Sequence, residues 1–256
     1  MRTARAVTHL ELREHRGDYG FDGSLVGPCA IGAAGVMLAG AAGVHHRVGR
    51  RRSAVLELSS GLVLLITVVV YLHTTRRGKF AVWAELLNGL QLRGDERVLD
   101  MGCGRGAILA MVAKLIPGGK AVGLDLWTAD QSGNRPGTTL RNLGAESVSK
   151  HCALVTGDMS AMPFSDSSFD AVLSSAAIHN IDRHHRQSPR RLQAVDEAVR
   201  VLKPGQRLMI ADLAWASAYA KHLVDLGMED VQCRSLGWRF WYGPWAGAKL
   251  VTATKT

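Results

Sequence analysis

Glycine at every second position marks the residues most suited to bind a small ligand. Gly102, Gly104 and Gly106 follow an apolar stretch at 97–101, and a helical pattern comes next. Glycine lets the backbone turn sharply and approach a ligand where any Cβ would collide, and the following helix directs its free N–H groups to the same place. Asp100 stands at the carboxyl end of the predicted strand, where open α/β sheets bind ligands. The stretch predicts a strand, a ligand-binding turn and a helix, although such a turn also serves purely structural purposes.

A second acidic residue, Asp125, lies at a position suited to bind a nucleoside. The next apolar run, 120–126, has Asp125 near its end, nineteen residues after Gly106. A carboxylate at the tip of the second strand is placed to accept hydrogen bonds from ribose hydroxyls. A lone acid here also fits a helix cap, so the interpretation depends on the motifs that follow.

Strands and helices alternate along the remainder of the chain, which argues for a parallel sheet with helices on both faces. The expected helices are 80–92, 107–115, 138–143, 192–202 and 215–226, and the expected strands are 97–101, 120–126, 153–156, 169–173 and 206–213, with a closing antiparallel pair at 228–236 and 249–254.

Five motifs follow one another in order: VLDMGCGRG, GLDLW, TGDMSAMPF, FDAVLSSAAIHNI and VLKPG. In these motifs, residues 80–256 resemble class I S-adenosylmethionine (SAM)-dependent methyltransferases. NAD-dependent dehydrogenases usually carry Gly-x-Gly-x-x-Gly, whereas the third glycine here comes one residue early. The resemblance implies an α/β fold with a Rossmann-like, seven-stranded, mostly parallel sheet of order 3-2-1-4-5-7-6.

The resemblance also assigns cofactor contacts to individual residues. It implies SAM as the cofactor, with Asp100 and the glycine turn at its amino-acid end and Asp125 at its ribose. Asp158 matches the acid that accepts from the adenine amino group, and Met159 packs on the ring; a turn-forming Gly-Asp pair is the alternative. Trp127 either covers the adenosine or packs in the fold. The expected cofactor residues are Asp100, Gly102, Cys103, Gly104, Gly106, Asp125, Leu126, Asp158, Met159 and Ser174.

The loop after the fourth strand is the expected place for the reacting groups. Methyl transfer is an in-line displacement at a sulfonium, so the enzyme mainly aligns the reactants and excludes water. His179 is the expected base because an imidazole takes a proton near neutral pH; its alternative role is to hydrogen-bond the loop. The expected acceptor residues are Asn180, Trp238, Trp241 and Tyr242, the last three from an aromatic segment at 238–245. These aromatics also suit the domain core or a bilayer interface.

The fourth motif favours a small-molecule or lipid acceptor. It has Ser174-Ser175 where amino-methylating DNA and glutamine enzymes of the superfamily have Asn-Pro-Pro-Tyr, and it lacks the Pro-Cys pair of cytosine C5 chemistry. Nucleic acid is therefore not an expected partner. Two alternatives stay open: an RNA or protein methyltransferase that uses the basic stretch 183–191, and a membrane-tethered protein that binds SAM without turnover. The four cysteines show no metal-ligand spacing, so no metal is expected.

The N-terminal region differs in composition from the rest. A polar tail at 1–23 precedes two apolar runs, the first uncharged from 24 to 44 and the second uncharged from 58 to 75. We expect two transmembrane helices at about 24–44 and 55–75, since a bilayer needs ~20 residues. Three basic residues close the second run: Arg76, Arg77 and Lys79. With a net charge of +9, the arginines beside the runs favour anionic lipid as a partner. We expect a multi-pass membrane protein whose catalytic domain, 76–256, faces the cytosol, where SAM is made. A signal peptide and a buried soluble hairpin are the alternatives.

Overall fold

The computed structural model describes residues 8–22, 25–128, 133–182, 185, 188–242 and 247–256 of the chain. The strands are β1 (Arg97–Met101), β2 (Lys120–Asp125), β3 (Cys152–Thr156), β4 (Phe169–Ser175), β5 (Leu202–Asp212), β6 (Glu229–Ser235) and β7 (Lys249–Thr254). The α-helices are α1 (His9–Arg13), α2 (Val26–Arg47), α3 (Arg51–His73), α4 (Lys79–Gly89), α5 (Ala107–Leu115), α6 (Pro136–Ala145), α7 (Pro189–Val201) and α8 (Ala216–Asp225). A π-helical turn, Thr74–Gly78, joins α3 to α4.

The seven strands form one sheet in the order β3-β2-β1-β4-β5-β7-β6, which confirms the prediction. Strands β1 to β5 pair in parallel, and β7 runs antiparallel to both β5 and β6. At the centre, Asp100 of β1 pairs with Gly123 of β2 and with Leu173 of β4. The strand order therefore reverses between β1 and β4, and open α/β sheets form a ligand crevice at the carboxyl ends of strands at such a point.

Each face of the sheet has its own apolar core. On one face, α4 and α5 bury Trp83 and Leu109, and on the other, α7 and α8 bury Val195 and Tyr219. The central strands are thus covered on both faces, as parallel strands usually are, and most of their buried side chains are apolar for that reason.

Several predicted boundaries shift, and two of these shifts have a clear cause. Helix α7 begins at Pro189 rather than at 192, because the Ser188 side chain caps the helix by accepting from the Arg190 N–H and proline suits the first helical turn. Strand β5 begins at Leu202 rather than at 206, because Leu202 already pairs with Phe169 of β4.

Helices α2 and α3 form an antiparallel hairpin that turns at 48–50. A Cβ on Gly61 would lie 2.7 Å from the Gly35 carbonyl oxygen, so the two backbones pack closely where the small residues meet. Both helices are long and apolar enough to cross a membrane, and both extend a few residues into the basic stretch between the predicted runs. Exposed apolar side chains cover their outer faces: Val36, Met37, Val55, Leu56, Leu58, Leu62, Val63, Ile66 and Val69.

The segment 8–22 packs on the domain, whereas the sequence predicted a polar tail. Leu12 and Tyr19 are both buried in the core that α4 and α5 form. The backbone N–H groups of Arg16 and Gly17 donate to Glu146 Oε1 at 2.6 and 2.8 Å. The segment is therefore part of the α/β domain, although the hairpin separates the two in sequence.

The chain is helical from Arg51 to Gly89, so the hairpin leads into the domain without a loop. Lys79, one of the three basic residues predicted to close the second apolar run, lies at the start of α4 within this continuous helix. Lys79 is only 5% exposed and donates to Asp22 Oδ1 at 2.8 Å. The first turn of α4 packs in the protein core, and Lys79 is buried with it.

Candidate active site

A cavity of about 570 Å³ opens where β1, β2 and β4 end. Its size lies in the range of small-molecule sites, about 300–1,000 Å³. Most of the predicted site residues line it: Asp100, Gly102, Cys103, Gly104, Asp125, Leu126, Asp158, Met159, His179, Asn180 and Tyr242. The described lining does not include Gly106, Ser174, Trp238 or Trp241.

The glycine turn requires glycine for two different reasons. Gly102, Gly104 and Gly106 all have positive φ, at 69°, 51° and 83°. A Cβ on Gly102 would lie 2.3 Å from the Ala177 Cβ, so this glycine lets the loop after β4 approach β1. A Cβ on Gly106 would lie 2.8 Å from Thr139 Cγ2, so Gly106 serves the packing of α6 and not the cavity wall. The predicted cofactor role of Gly106 is therefore an indirect one.

Asp125, at the end of β2, is hydrogen-bonded to the glycine turn. Its Oδ2 accepts from the Gly104 N–H at 2.8 Å, and its Oδ1 accepts from the Trp127 N–H at 2.6 Å. Asn134 donates to the same Oδ1 at 3.2 Å. The carboxylate remains on the cavity wall, where the prediction places the ribose. Trp127 packs beside the core, with its indole N–H donated to Thr156 Oγ1 at 2.8 Å.

Asp100 is a buried acid with an unsatisfied oxygen. Its Oδ2 has no hydrogen-bond partner among the described residues. Burial, and next the charge of Asp125, raise the pKa of Asp100 to about 7. A buried carboxylate in this state favours a cationic ligand, and SAM carries a sulfonium and an ammonium group. The residues present therefore fit SAM at this end of the cavity. Burial also raises the pKa of the Cys103 thiol, which stays neutral.

Asp158 and Met159 lie on the cavity wall beside a basic residue that the sequence did not single out. Oδ1 of Asp158 accepts from the Ser160 N–H at 2.8 Å, which is the turn contact of the alternative interpretation, and its Oδ2 accepts from the guanidinium of Arg190. Burial opposes ionisation of Asp158, but the Ser160 hydrogen bonds and Arg190 together hold the pKa of this carboxyl below its usual value. Arg190 also lines the cavity, so it is a neighbour of the predicted adenine site.

His179 forms a pair with Asp212 at the end of β5. The Asp212 carboxylate accepts from His179 Nδ1 through Oδ1 and from the His179 backbone N–H through Oδ2 at 3.0 Å. The Leu213 N–H also donates to Asp212 Oδ1, at 2.8 Å. A carboxylate can only accept, so the Nδ1 contact places the ring proton on Nδ1 and leaves Nε2 as the basic nitrogen of the neutral ring. This arrangement orients an imidazole for proton transfer, and Asp212 is 1% exposed.

The cavity is lined by Ser175 and not by Ser174, which the sequence predicted as a cofactor residue. Ser174 is buried and its Oγ donates to the Met101 carbonyl at 3.1 Å, which ties β4 to β1. Successive side chains of a strand point to opposite faces, so Ser175 takes the cavity position. Ser175 Oγ accepts from the Trp83 indole N–H at 2.9 Å.

The aromatic segment divides between the cavity and the hairpin. Tyr242 lines the cavity, as predicted. Trp238 is 64% exposed and stacks on His73 with ring centroids 5.2 Å apart. Trp241 exchanges backbone hydrogen bonds with the Thr74 hydroxyl at 2.8 and 3.2 Å. Both tryptophans therefore pack against the domain end of α3 and outside the cavity, and Trp245 lies outside the described residues.

Sequence reasoning did not single out four side chains of the cavity region: Asp22, Lys79, Arg190 and Asp212. Asp212 had a usable signal, because it ends an apolar strand in the same way as Asp100 and Asp125 do. Asp22 and Lys79 had none, since they lie in segments that composition alone describes as a tail and a membrane flank. Within the described residues, no group of His, Cys, Asp and Glu side chains has the arrangement of a metal site.

Comparison with known proteins agrees with this geometry. Residues 99–210 match the family model of a methyltransferase domain. The ubiquinone/menaquinone biosynthesis C-methyltransferase UbiE of a Ruegeria species is 33% identical over 171 residues, which cover 66% of this chain and 61% of that protein. A sterol 4-C-methyltransferase of Caenorhabditis elegans is 31% identical over 135 residues, which cover 52% of this chain and 35% of that protein. This chain therefore spans less than two thirds of either relative.

A solved structure shows the same fold. A SAM-dependent methyltransferase from Aquifex aeolicus superposes with a TM-score of 0.52 at 19% identity, covering 68% of this chain and 89% of that chain. The match of residues 99–210 to a methyltransferase domain agrees with the sheet order and with the buried acid beside the glycine turn, and the same comparisons support SAM as the cofactor.

Proposed function

We propose that this protein transfers the methyl group of SAM to a small apolar or amphiphilic acceptor, with His179 as the base. The observation that carries the proposal is that the glycine turn, the two carboxylates Asp100 and Asp125, and the His179–Asp212 pair meet around one cavity. The relatives named above are a quinone and a sterol C-methyltransferase, which supports an acceptor of low polarity.

The chain's own residues hold the cofactor and move a proton. When bound, SAM supplies an electrophilic methyl group on a sulfonium. Asp100 would face its cationic end, Asp125 its ribose, and Asp158 with Met159 its adenine. When a carbon or oxygen atom of the acceptor attacks this methyl group, the acceptor loses one proton overall. His179 Nε2 takes that proton. Asp212 then stabilises the imidazolium that forms, because its carboxylate already holds Nδ1–H.

We also propose that the α2–α3 hairpin anchors the enzyme in a membrane. At 1.5 Å per residue, helices of 22 and 23 residues are roughly 33–35 Å long, which matches a hydrocarbon core of about 30 Å. Their apolar side chains face outward, where a soluble core would bury them. The hairpin returns the chain to its starting side, so the domain and the segment 8–22 both lie in the cytosol.

The anchor is tested by extraction and by labelling. Carbonate should leave the full chain in the membrane pellet, and its release would contradict the anchor. In a background with Cys29→Ser and Cys233→Ser, Val48→Cys at the hairpin turn should react only with a reagent on the side opposite the cytosol. Labelling from the cytosolic side would show that the turn does not cross.

The basic stretch 183–191 gives little support to an RNA or protein acceptor. Arg190 pairs with Asp158. Arg191 is 2% exposed, donates to the carbonyls of Asp182 and His185, and lies over the Trp215 ring at 3.8 Å. Residues 183, 184, 186 and 187 lie outside the described residues. Of the two arginines that the structure describes here, Arg191 is buried in the fold, and Arg190 is exposed but its charge is paired with Asp158.

Turnover with labelled SAM tests the proposed function. Purified protein should transfer label to quinol or sterol acceptors and not to RNA or protein. His179→Ala should lower kcat ~100-fold or more, the usual contribution of a general base, with little change in SAM affinity. The matched control is His222→Ala, because His222 contacts Asp196 and lies outside the cavity. Label transfer to RNA or protein alone would reject the acceptor class, and SAM binding without any turnover would favour the non-catalytic alternative.

A further inference from the structure

A buried polar cluster lies at the foot of the hairpin, on the wall of the same cavity. Asp22 is its centre: Lys79 donates to Oδ1 at 2.8 Å, and the Tyr242 hydroxyl donates to Oδ2 at 2.8 Å. The Tyr71 hydroxyl, from the end of α3, donates to the Asp22 carbonyl at 2.8 Å. All four residues line the cavity, and they come from three separate parts of the chain.

The Lys79 ammonium has more N–H donors than it uses in hydrogen bonds to the described residues. An ammonium has three N–H donors, and among the described residues its one hydrogen bond goes to Asp22. The side chain is 6% exposed, so bulk water has little access to the remaining donors. Buried donors normally have partners, and a ligand oxygen in the cavity would supply one.

The charges around the cavity indicate which oxygen fits. Among the described residues, each Lys or Arg side chain that lines it is paired with a carboxylate: Lys79 with Asp22, Arg105 with Asp18, and Arg190 with Asp158. The carboxylates Asp100 and Asp125 add negative charge at the cofactor end. A carboxylate or phosphate on the acceptor would meet no uncompensated Lys or Arg among these described residues, whereas a neutral hydroxyl or carbonyl would gain a charge-assisted hydrogen bond without a charge penalty.

We propose that Lys79, held by Asp22, binds the oxygen of a neutral hydroxyl- or carbonyl-bearing acceptor, and that this pairing excludes anionic acceptors. The placement follows from the fold. The segment 8–22 and α4 meet at the end of the hairpin, so an apolar acceptor would have its oxygen in this cluster and its apolar body beside the hairpin. The proposal rests on the proposed function for the identity of the acceptor end, but its test measures binding and needs no methyl transfer.

Three probes of the same shape separate the contributions: naphthalene, 1-naphthol and 1-naphthoate. Their binding is measured by equilibrium dialysis of the full chain in detergent micelles, with empty micelles as the blank and S-adenosylhomocysteine present to fill the cofactor end. Wild-type protein should bind 1-naphthol about tenfold or more tightly than naphthalene, the effect of one hydrogen bond to a charged donor, and 1-naphthoate no more tightly than naphthalene.

Two substitutions should have opposite consequences. Lys79→Met should weaken 1-naphthol about tenfold and leave naphthalene within twofold, because only the oxygen contact is lost. Asp22→Asn should strengthen 1-naphthoate about tenfold, because the ammonium then keeps an uncompensated charge. Lys203→Met is the matched control, since Lys203 pairs with Asp170 outside the cavity, and all three affinities should stay unchanged.

Equal affinity of wild-type protein for 1-naphthol and naphthalene would overturn the proposal, as would unchanged 1-naphthoate binding in a folded Asp22→Asn. If Lys79→Met alone does not fold, the double variant Asp22→Asn with Lys79→Met removes both charges together and must still lose the preference for 1-naphthol. Failure of S-adenosylhomocysteine to bind would count against the proposed function, while the comparison of the three probes would still decide the role of Lys79.

Discussion

Asp100 allows a direct test of the cofactor site, because its burial makes both the folding stability and the SAM affinity depend on pH. In the free protein, burial and Asp125 raise the pKa of Asp100 to about 7, against an ordinary value of 3.8. Between roughly pH 4 and pH 7 the folded state therefore keeps a proton that the unfolded state has released, so Asp100 lowers stability as the pH rises. At 1.36 kcal/mol for each pKa unit, the full cost above pH 7 is on the order of 4 kcal/mol.

A cationic cofactor reverses this preference. SAM favours the ionised carboxylate, so binding below pH 7 must release the Asp100 proton. SAM affinity should fall about tenfold for each pH unit from pH 7 down to 5, and level off above pH 7. Asp100→Asn keeps the shape and removes the charge. It should abolish the slope, weaken SAM by ~1.5–3 kcal/mol at pH 8, and raise the stability of the free protein at that pH.

Calorimetry in buffers of different ionisation enthalpy provides the assay, because it counts the protons released on binding. Wild-type protein should release about one proton from Asp100 at pH 6 and almost none at pH 8, whereas Asp100→Asn should release none from this site at either pH. Asp170→Asn is the control, since Asp170 pairs with Lys203 outside the cavity and should keep the wild-type slope. A flat affinity from pH 5 to 8 in the wild type, or a persisting slope in Asp100→Asn, would refute this account of the site.

Three other substitutions test separate parts of the structure. Gly102→Ala would place a Cβ 2.3 Å from that of Ala177 at a φ of 69°. We expect denaturant unfolding to show a stability loss of ~1–3 kcal/mol, together with weaker SAM binding. Wild-type values for both would contradict the close approach. Asp212→Asn should lower kcat with little change in SAM affinity, because His179 loses its orienting carboxylate, and an unchanged kcat in folded protein would argue against the pair. Leu12→Ala should destabilise the full chain by ~2–5 kcal/mol in thermal or denaturant unfolding, because Leu12 is buried. Leu10→Ala is the control and should not destabilise it, because Leu10 is exposed. Equal stability of the two variants would show that the segment 8–22 is a detachable tail.

Local patterns in the sequence were sufficient to predict the sheet and the cofactor end of the cavity. The alternation of apolar runs, glycine turns and helical patterns determines a parallel sheet, and the resemblance supplied its strand order. Asp100, Asp125 and Asp158 could be found because each acid lies at or just beyond the carboxyl end of an apolar strand, and parallel strands bring their carboxyl ends to one edge. The hairpin helices were equally visible, since uncharged apolar runs as long as 24–44 and 58–75 are typical of membrane spans.

The tertiary structure decided which side chains meet at the acceptor end. Ser174 and Ser175 differ only in which face of β4 they occupy, and the pairing of β4 with β1 sets that choice. Trp238 and Trp241 share the composition of Tyr242 but pack against the end of α3. His179 meets Asp212 across 33 residues, and Lys79 meets Asp22 across 57 residues that include the whole hairpin. No local pattern encodes such pairs, because each residue alone reads as a solvated polar group until the folded chain buries both together.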